Sequence, residues 1–167
     1  AGPSEIGVLA DSSADPRFVA ADLVAQAEHD PSSACLLITD DPGLPDRIWA
    51  EMERMIAASE RKGIIAKALE NSGYIVVDDL ELGIEMMNTI APEHLSIQTR
   101  EAMDVLSKTV NAGSIFVGPY TPVAAGDYAS GTNHVLPTAG HAATASGLNV
   151  AHFRKTSTVQ ILTREGL

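Results

Sequence analysis

The sequence has 167 residues, a length that suits one domain, and a net charge of −11. A field of that sign repels phosphate backbones and anionic lipid, which argues against nucleic-acid and membrane partners. Apolar residues make up 45% and aromatic residues only 4%, so the core must come from Ile, Leu, Val, Ala and Met. The single cysteine, Cys35, lies inside the apolar run ACLLIT and cannot form an internal disulfide. It reads as part of a buried strand in a reducing, cytoplasmic compartment. The chain opens on Ala1-Gly2-Pro3 without Met and ends at Leu167 without a capping signal, which reads as a segment of a longer protein.

Along the chain, short apolar runs alternate with longer helical patterns. Ile6 to Ala10 reads as a strand. Asp15-Pro16 supplies an N-cap and a proline at the first helical position, and the helix is expected from Pro16 to His29. Cys35 to Ile38 is the second strand, followed by a turn at Asp40-Asp41-Pro42-Gly43. From Pro45 a helix places Ile48, Met52, Met55 and Ile56 on one face. Gly63 is expected to break it, with a second helical piece ending at Gly73. Tyr74 to Val77 is the third strand. Asp78 or Asp79 caps a helix striped by Leu80, Ile84 and Met87, which Pro92 stops. Leu95 and Ile97 alternate with polar residues as a short strand. Thr99 to Val110 is helical and Ser114 to Val117 is a strand. The rest is mostly loop, then a mixed segment ending TSTVQIL. Strands alternating with helices predict a single α/β domain over residues 1–167, Rossmann-like, with a largely parallel sheet flanked by helices. Neither GxGxxG nor a GxxxxGK phosphate loop occurs.

Three groups carry possible chemistry. Glu93-His94 follows Pro92, which pins a carboxylate and an imidazole side by side at an element end, an arrangement suited to proton abstraction. The plainer alternative is a polar helix terminus with His against the dipole. In the first helix the inward stripe runs Val19, Leu23, Gln26, and His29 follows three residues on. Such an i, i+3 pair can share a ligand, or can mark a helix end breaking the surface. The stretch VGPYTPVAAGDYASGTNHVLPTAGHA holds Asp127, His134 and His141 but little that could build a core. Asp127 reads either as a turn-former or as the oxygen ligand that a Gln/His pair lacks. No GxSxG elbow supports a serine hydrolase, and Cys35 reads as core rather than nucleophile.

Taken together, AGPSE, FVAADLVAQAEHD, NTIAPEHLSIQ, AGSIFVGPYTPVAAGDYASGTNHVLPTAG and FRKTSTVQ resemble the histidinol dehydrogenase family over nearly the whole chain. The resemblance implies a zinc-dependent, NAD-linked oxidation of L-histidinol through the aldehyde to L-histidine, the last step of histidine biosynthesis. It makes Gln26, His29 and Asp127 zinc ligands and Glu93 and His94 the catalytic pair. Ser4 then contacts substrate, and His134 lies close to it. It further implies a homodimer. The NAD-contacting domain lies upstream of this piece. A fourth zinc-ligating His and a substrate-binding Glu lie downstream and come from the partner subunit, so the piece alone is expected to be inactive. Two other readings compete. One is a metal-dependent hydrolase-like site with zinc on Gln26, His29 and Asp127 and Glu93 as water activator, although no HExxH is present. The other is a non-catalytic acidic α/β module that binds through its small-residue loop.

Overall fold

In the computed structural model, which describes residues 3–167, five strands form one sheet with every pairing parallel. The strands are β1 (Glu5–Ala10), β2 (Ala34–Thr39), β3 (Gly73–Val76), β4 (His94–Gln98) and β5 (Ser114–Val117), in the order β3-β2-β1-β4-β5. This order is that of a Rossmann-like sheet, with the reversal between β1 and β4. The helices are α1 (Pro16–Ala27), α2 (Leu44–Ala58), α3 (Lys62–Leu69), α4 (Leu80–Ile90), α5 (Ala102–Lys108) and α6 (Val123–Tyr128). Beyond α6 the described chain is irregular apart from three short 3₁₀ turns. No helix among the described residues is long and apolar enough to cross a membrane.

The strand alternation divides the core in two. Ile6, Val8 and Ala10 of β1, with Cys35 and Leu37 of β2 and Phe116 of β5, pack under α1, α2, α3 and Val123 of α6. Leu9, Ile38, Leu95 and Ile97 point to the other face, against Ile84 and Met87 of α4 and Val105 of α5. Both faces being covered, the central strands β1, β2 and β4 are buried on both sides, as strands of parallel sheets are, while the edge strand β3 stays largely exposed. The consequence for β4 is specific. Leu95 and Ile97 fill one core, so His94, Ser96 and Gln98 point under α1 rather than to water, and all five residues of β4 are buried. A buried polar stripe needs polar partners, and α1 supplies one of them, Asp22, to Ser96.

Several boundaries differ from the sequence expectation. The first helix ends at Ala27, so His29 lies in the following turn, its backbone N–H donating to the Gln26 carbonyl at 3.2 Å. The break after α2 falls at Ser59, whose extended backbone (ψ 141°) leaves the helix, and Gly63 lies inside α3. Asp79, not Asp78, caps α4, accepting the Leu82 N–H at 2.9 Å. That helix stops at Ile90, where Ala91 turns left-handed (φ 51°) and its N–H closes on the Met87 carbonyl. Pro92 therefore follows the stop, and Glu93-His94 opens strand β4 instead of ending a helix. The alternative of His94 resting on a helix dipole falls with it. The expected helix over Thr99–Val110 is confined to α5, and Asp127 lies in the short helix α6 rather than in a loop.

Candidate active site at the amino ends of β1 and β4

Ser4 and Glu5 precede and open β1, Glu93 and His94 precede and open β4, and the register sets Ile6 beside His94. Four expected site residues meet here. Gln26 Nε2 donates to Ser4 Oγ at 2.7 Å. Ser4 Oγ donates to Glu93 Oε2 at 2.7 Å, and the Glu5 N–H donates to the same oxygen at 3.0 Å. One carboxylate oxygen is thereby fixed by two donors, while Oε1 accepts from none of the described residues. Two donors on one oxygen give the carboxyl group a defined orientation. His94 Nδ1 lies 3.2 Å from the Glu5 carbonyl and 3.5 Å from Glu93 Oε2. Both neighbours are acceptors, so Nδ1 carries a proton, and in the neutral ring Nε2 is then the basic nitrogen, the arrangement a general base uses. The His94 ring also meets Phe116, with centroids 5.9 Å apart. Glu93, His94 and Gln26 are all buried.

Glu5 adds a second tie. Its Oε1 accepts the Glu93 N–H at 3.3 Å and the Ala139 N–H at 3.0 Å. The second bond fastens the segment after α6 to the site, although His134 itself is exposed and makes no hydrogen bond to this cluster among the described residues.

The expected metal ligands are brought together only in part. Gln26 is buried with its amide N–H engaged, so its Oε1 is the free donor atom. His29 and Asp127 are exposed, on the turn after α1 and near the end of α6. Amide oxygen, imidazole nitrogen and carboxylate are a donor set that fits zinc, and three donors leave a tetrahedral site one short. Among the described residues, no group of three or more His, Cys, Asp or Glu side chains is gathered for a metal.

One residue of this neighbourhood was missed in the sequence. Asp22 is buried on α1, one turn before Gln26. Its Oδ1 accepts the Val123 N–H at 3.0 Å and its Oδ2 accepts Ser96 Oγ at 3.2 Å. Gln98 Nε2 in turn donates to Ser96 Oγ at 3.0 Å and to the Gly118 carbonyl at 3.3 Å. The partners of the β4 polar stripe are thus Asp22 and its neighbours. Burial pushes the Asp22 carboxyl above the usual carboxylate range, while the Val123 amide, the Ser96 hydroxyl and the nearby His94 ring pull the other way. The available signal was a charged residue four before Gln26 on the inward stripe, a position where an unpaired carboxylate would be costly.

The opposite end of the sheet is ill suited to a dinucleotide. In Rossmann-like sheets the pyrophosphate binds at the carboxyl ends of the strands, on a glycine-rich turn opening a helix. Here the β1–α1 turn contains no glycine and carries Asp11 and Asp15. The Asp11 carboxylate accepts Ser13 N–H, Ser13 Oγ and Arg100 N–H, and Asp15 caps α1. Burial, then acidic neighbours, raise the Asp40 carboxyl at the same end. The Asp15 carboxylate takes the Arg17 N–H at the α1 start and Asp11 stands in the same turn, so this end offers a dinucleotide neither a glycine-rich cradle nor a positive lining.

The family model described as histidinol dehydrogenase matches residues 1–167. Histidinol dehydrogenase of Yersinia pestis is 48% identical over 167 residues, covering 100% of this chain and 38% of that protein. The Methanocaldococcus jannaschii protein of the same name is 51% identical over 100% of this chain and 39% of its own length. The crystal structure of histidinol dehydrogenase from Elizabethkingia anophelis superposes with a TM-score of 0.95 at 43% identity, covering 99% of this chain and 38% of that one. The chain therefore spans about two fifths of the length of the relatives it matches. The chain belongs to the histidinol dehydrogenase family.

Proposed function

We propose that this chain supplies the acid–base pair and part of the zinc site of an enzyme that oxidises L-histidinol through the aldehyde to L-histidine. The observation that carries the reading is the Gln26–Ser4–Glu93–His94 chain of contacts, which joins an expected metal ligand to an expected base through one serine. Zinc, held by Gln26, His29 and Asp127, would supply an anchor for the imidazole and amine of the substrate, and NAD, which these residues do not hold, would supply the oxidant.

The residues of the chain then divide the proton chemistry. His94 Nε2 takes the alcohol proton as the carbinol carbon is oxidised, its tautomer set by the Glu5 carbonyl on Nδ1. Glu93, with Oε2 occupied by Ser4 and Glu5, has Oε1 left to accept a proton from the water that adds to the aldehyde. His94 serves again as base when the hydrate is oxidised. Ser4 both orients Glu93 and lies within reach of a substrate held by Gln26. Burial of the pair excludes bulk water and protects the aldehyde between the two steps. The natural setting of the activity is a cytoplasmic homodimer, in which the partner completes the zinc ligand set.

Because the zinc set is one ligand short and the acidic, glycine-free β1–α1 turn offers NAD no phosphate cradle, the 167-residue chain alone is expected to produce no NADH from L-histidinol. Within the complete enzyme, Glu93→Gln and His94→Asn are each expected to lower kcat by roughly 10²- to 10⁴-fold, the range of a general base, with zinc content unchanged. Full activity of either variant would overturn the assignment.

A further inference from the structure

We propose that Asp22 is the positioning residue of the site: its buried carboxylate ties β4, two residues past His94, and the start of α6, one turn before Asp127, to α1, one turn before Gln26. The functional consequence rests on the zinc reading given above. The structural claim stands on its own contacts.

The reason α6 needs such a tie is local. It has six residues, far fewer than an isolated helix requires to persist in water. Its N-cap, Pro122, has no side-chain hydrogen bond to offer, and no acidic residue lies in its first turn. The Val123 N–H is one of the donors that every helix start leaves without an intrahelical partner. Val123 is buried, so water cannot satisfy it. Asp22 does so from another helix, and a carboxylate there also matches the positive end of the helix dipole. The cap that the local sequence omits is supplied across 101 residues of chain.

The second oxygen anchors the other side. Ser96 Oγ accepts from Gln98 Nε2 and donates its one proton to Asp22 Oδ2, and Gln98 reaches on to the Gly118 carbonyl at the start of the β5–α6 connection. That connection is therefore gripped at both ends, at Gly118 by Gln98 and at Val123 by Asp22. Packing agrees with the polar contacts. Gly126 of α6 lies so close to Phe116 that an added Cβ would fall 2.8 Å from the ring, and Phe116 touches the His94 ring. Asp22 touches no expected ligand or substrate atom. It acts through the placement of α6 and hence of Asp127.

The test uses the 167-residue chain with Asp22→Ala and Asp22→Asn. Asparagine keeps an oxygen for the Val123 N–H and loses only the acceptor for Ser96. Two quantities are read: amide hydrogen exchange over residues 123–128, and zinc affinity by competition with a chromophoric chelator. Asp22→Ala is expected to speed exchange across α6, leave β1 and β2 protected, and weaken zinc by roughly 10- to 100-fold, as loss of an outer-shell support does. Asp22→Asn is expected to retain most of both. A variant that merely lowered global stability would change exchange everywhere and show no rescue by asparagine. Unchanged α6 exchange in Asp22→Ala, or an equal loss in both variants, overturns the proposal. If the unsubstituted chain takes up no zinc, its three donors form no half-site without the fourth, and α6 exchange alone decides whether Asp22 holds that helix.

Discussion

Gly113 precedes β5 and lies directly against the backbone of Glu93. Its N–H donates to the Pro92 carbonyl at 2.9 Å, and the next N–H, of Ser114, donates to the Glu93 carbonyl at 2.8 Å. A Cβ added at Gly113 would stand 2.6 Å from the Glu93 carbonyl oxygen and 3.3 Å from its Cα. The closer contact is about 0.8 Å inside ordinary van der Waals separation. The neighbour is backbone, not the tip of a flexible side chain, so relief requires moving β5 away from β4 and stretching both hydrogen bonds. Gly113→Ala should therefore cost about 1–3 kcal/mol, the usual penalty of overpacking. Gly63 gives the internal control. It lies on an exposed part of α3 with nothing within 4 Å of its Cβ position, so the same substitution there should stabilise by roughly 0.5–1 kcal/mol. For a chain of this size a kcal/mol moves the Tm by about 3 °C. Thermal melts should place Gly113→Ala about 3–9 °C below the parent and Gly63→Ala about 2–3 °C above it. In the complete enzyme, the shift of Glu93 should also depress kcat, since displacements approaching 1 Å can cost about 100-fold. A Gly113→Ala protein as stable as the parent would refute the claim that this glycine sets the seat of Glu93.

Other expectations follow from the same structure. Burial raises the Asp22 carboxyl in the folded chain, so its contribution favours folding below the unfolded carboxylate value and is lost as pH rises through the raised value. Melting the parent and Asp22→Asn side by side from about pH 4 to 7 should show the parent losing ground to the variant as pH increases, and a constant difference would contradict this. Burial pushes the Cys35 thiol up to about 12. A thiol reagent at pH 8 should modify it only at the rate of unfolding, and rapid stoichiometric labelling of the native chain would show the thiol to be accessible. Gly126→Ala should push α6 off Phe116 and speed amide exchange over residues 123–128, with no change expected in β2 or β3.

What the sequence made legible and what it did not have separate physical causes. Periodicity located every strand, because apolar runs between turn residues have few other uses. It identified β5 to the residue, and the Asp15-Pro16 start of α1 was a local signal read correctly. Helix ends were less legible, since the last turn of α1 and both ends of α5 are decided by tertiary packing. The residue pair Glu93-His94 was visible, but its setting was not: Ala91, a non-glycine in the left-handed region, ends α4 before Pro92 could. Polar alternation in β4 marked a short strand without showing that both of its faces are buried. Only the covering of both sheet faces turns Ser96 and Gln98 inward and creates the demand that Asp22 meets. A contact between residues 22 and 123 has no local trace at all, and it was found only where the fold closes.

The central claim is that Gln26, His29 and Asp127 form a zinc half-site shaped for a histidinol-type ligand. The most direct measurement is calorimetric titration of zinc into the metal-free chain, with and without saturating L-histidinol. The expected result is zinc uptake that tightens by about 5- to 150-fold when L-histidinol is present, the range of ordinary coupling between two ligands of one site. Zinc binding that is indifferent to L-histidinol, or no zinc binding under either condition, would contradict it.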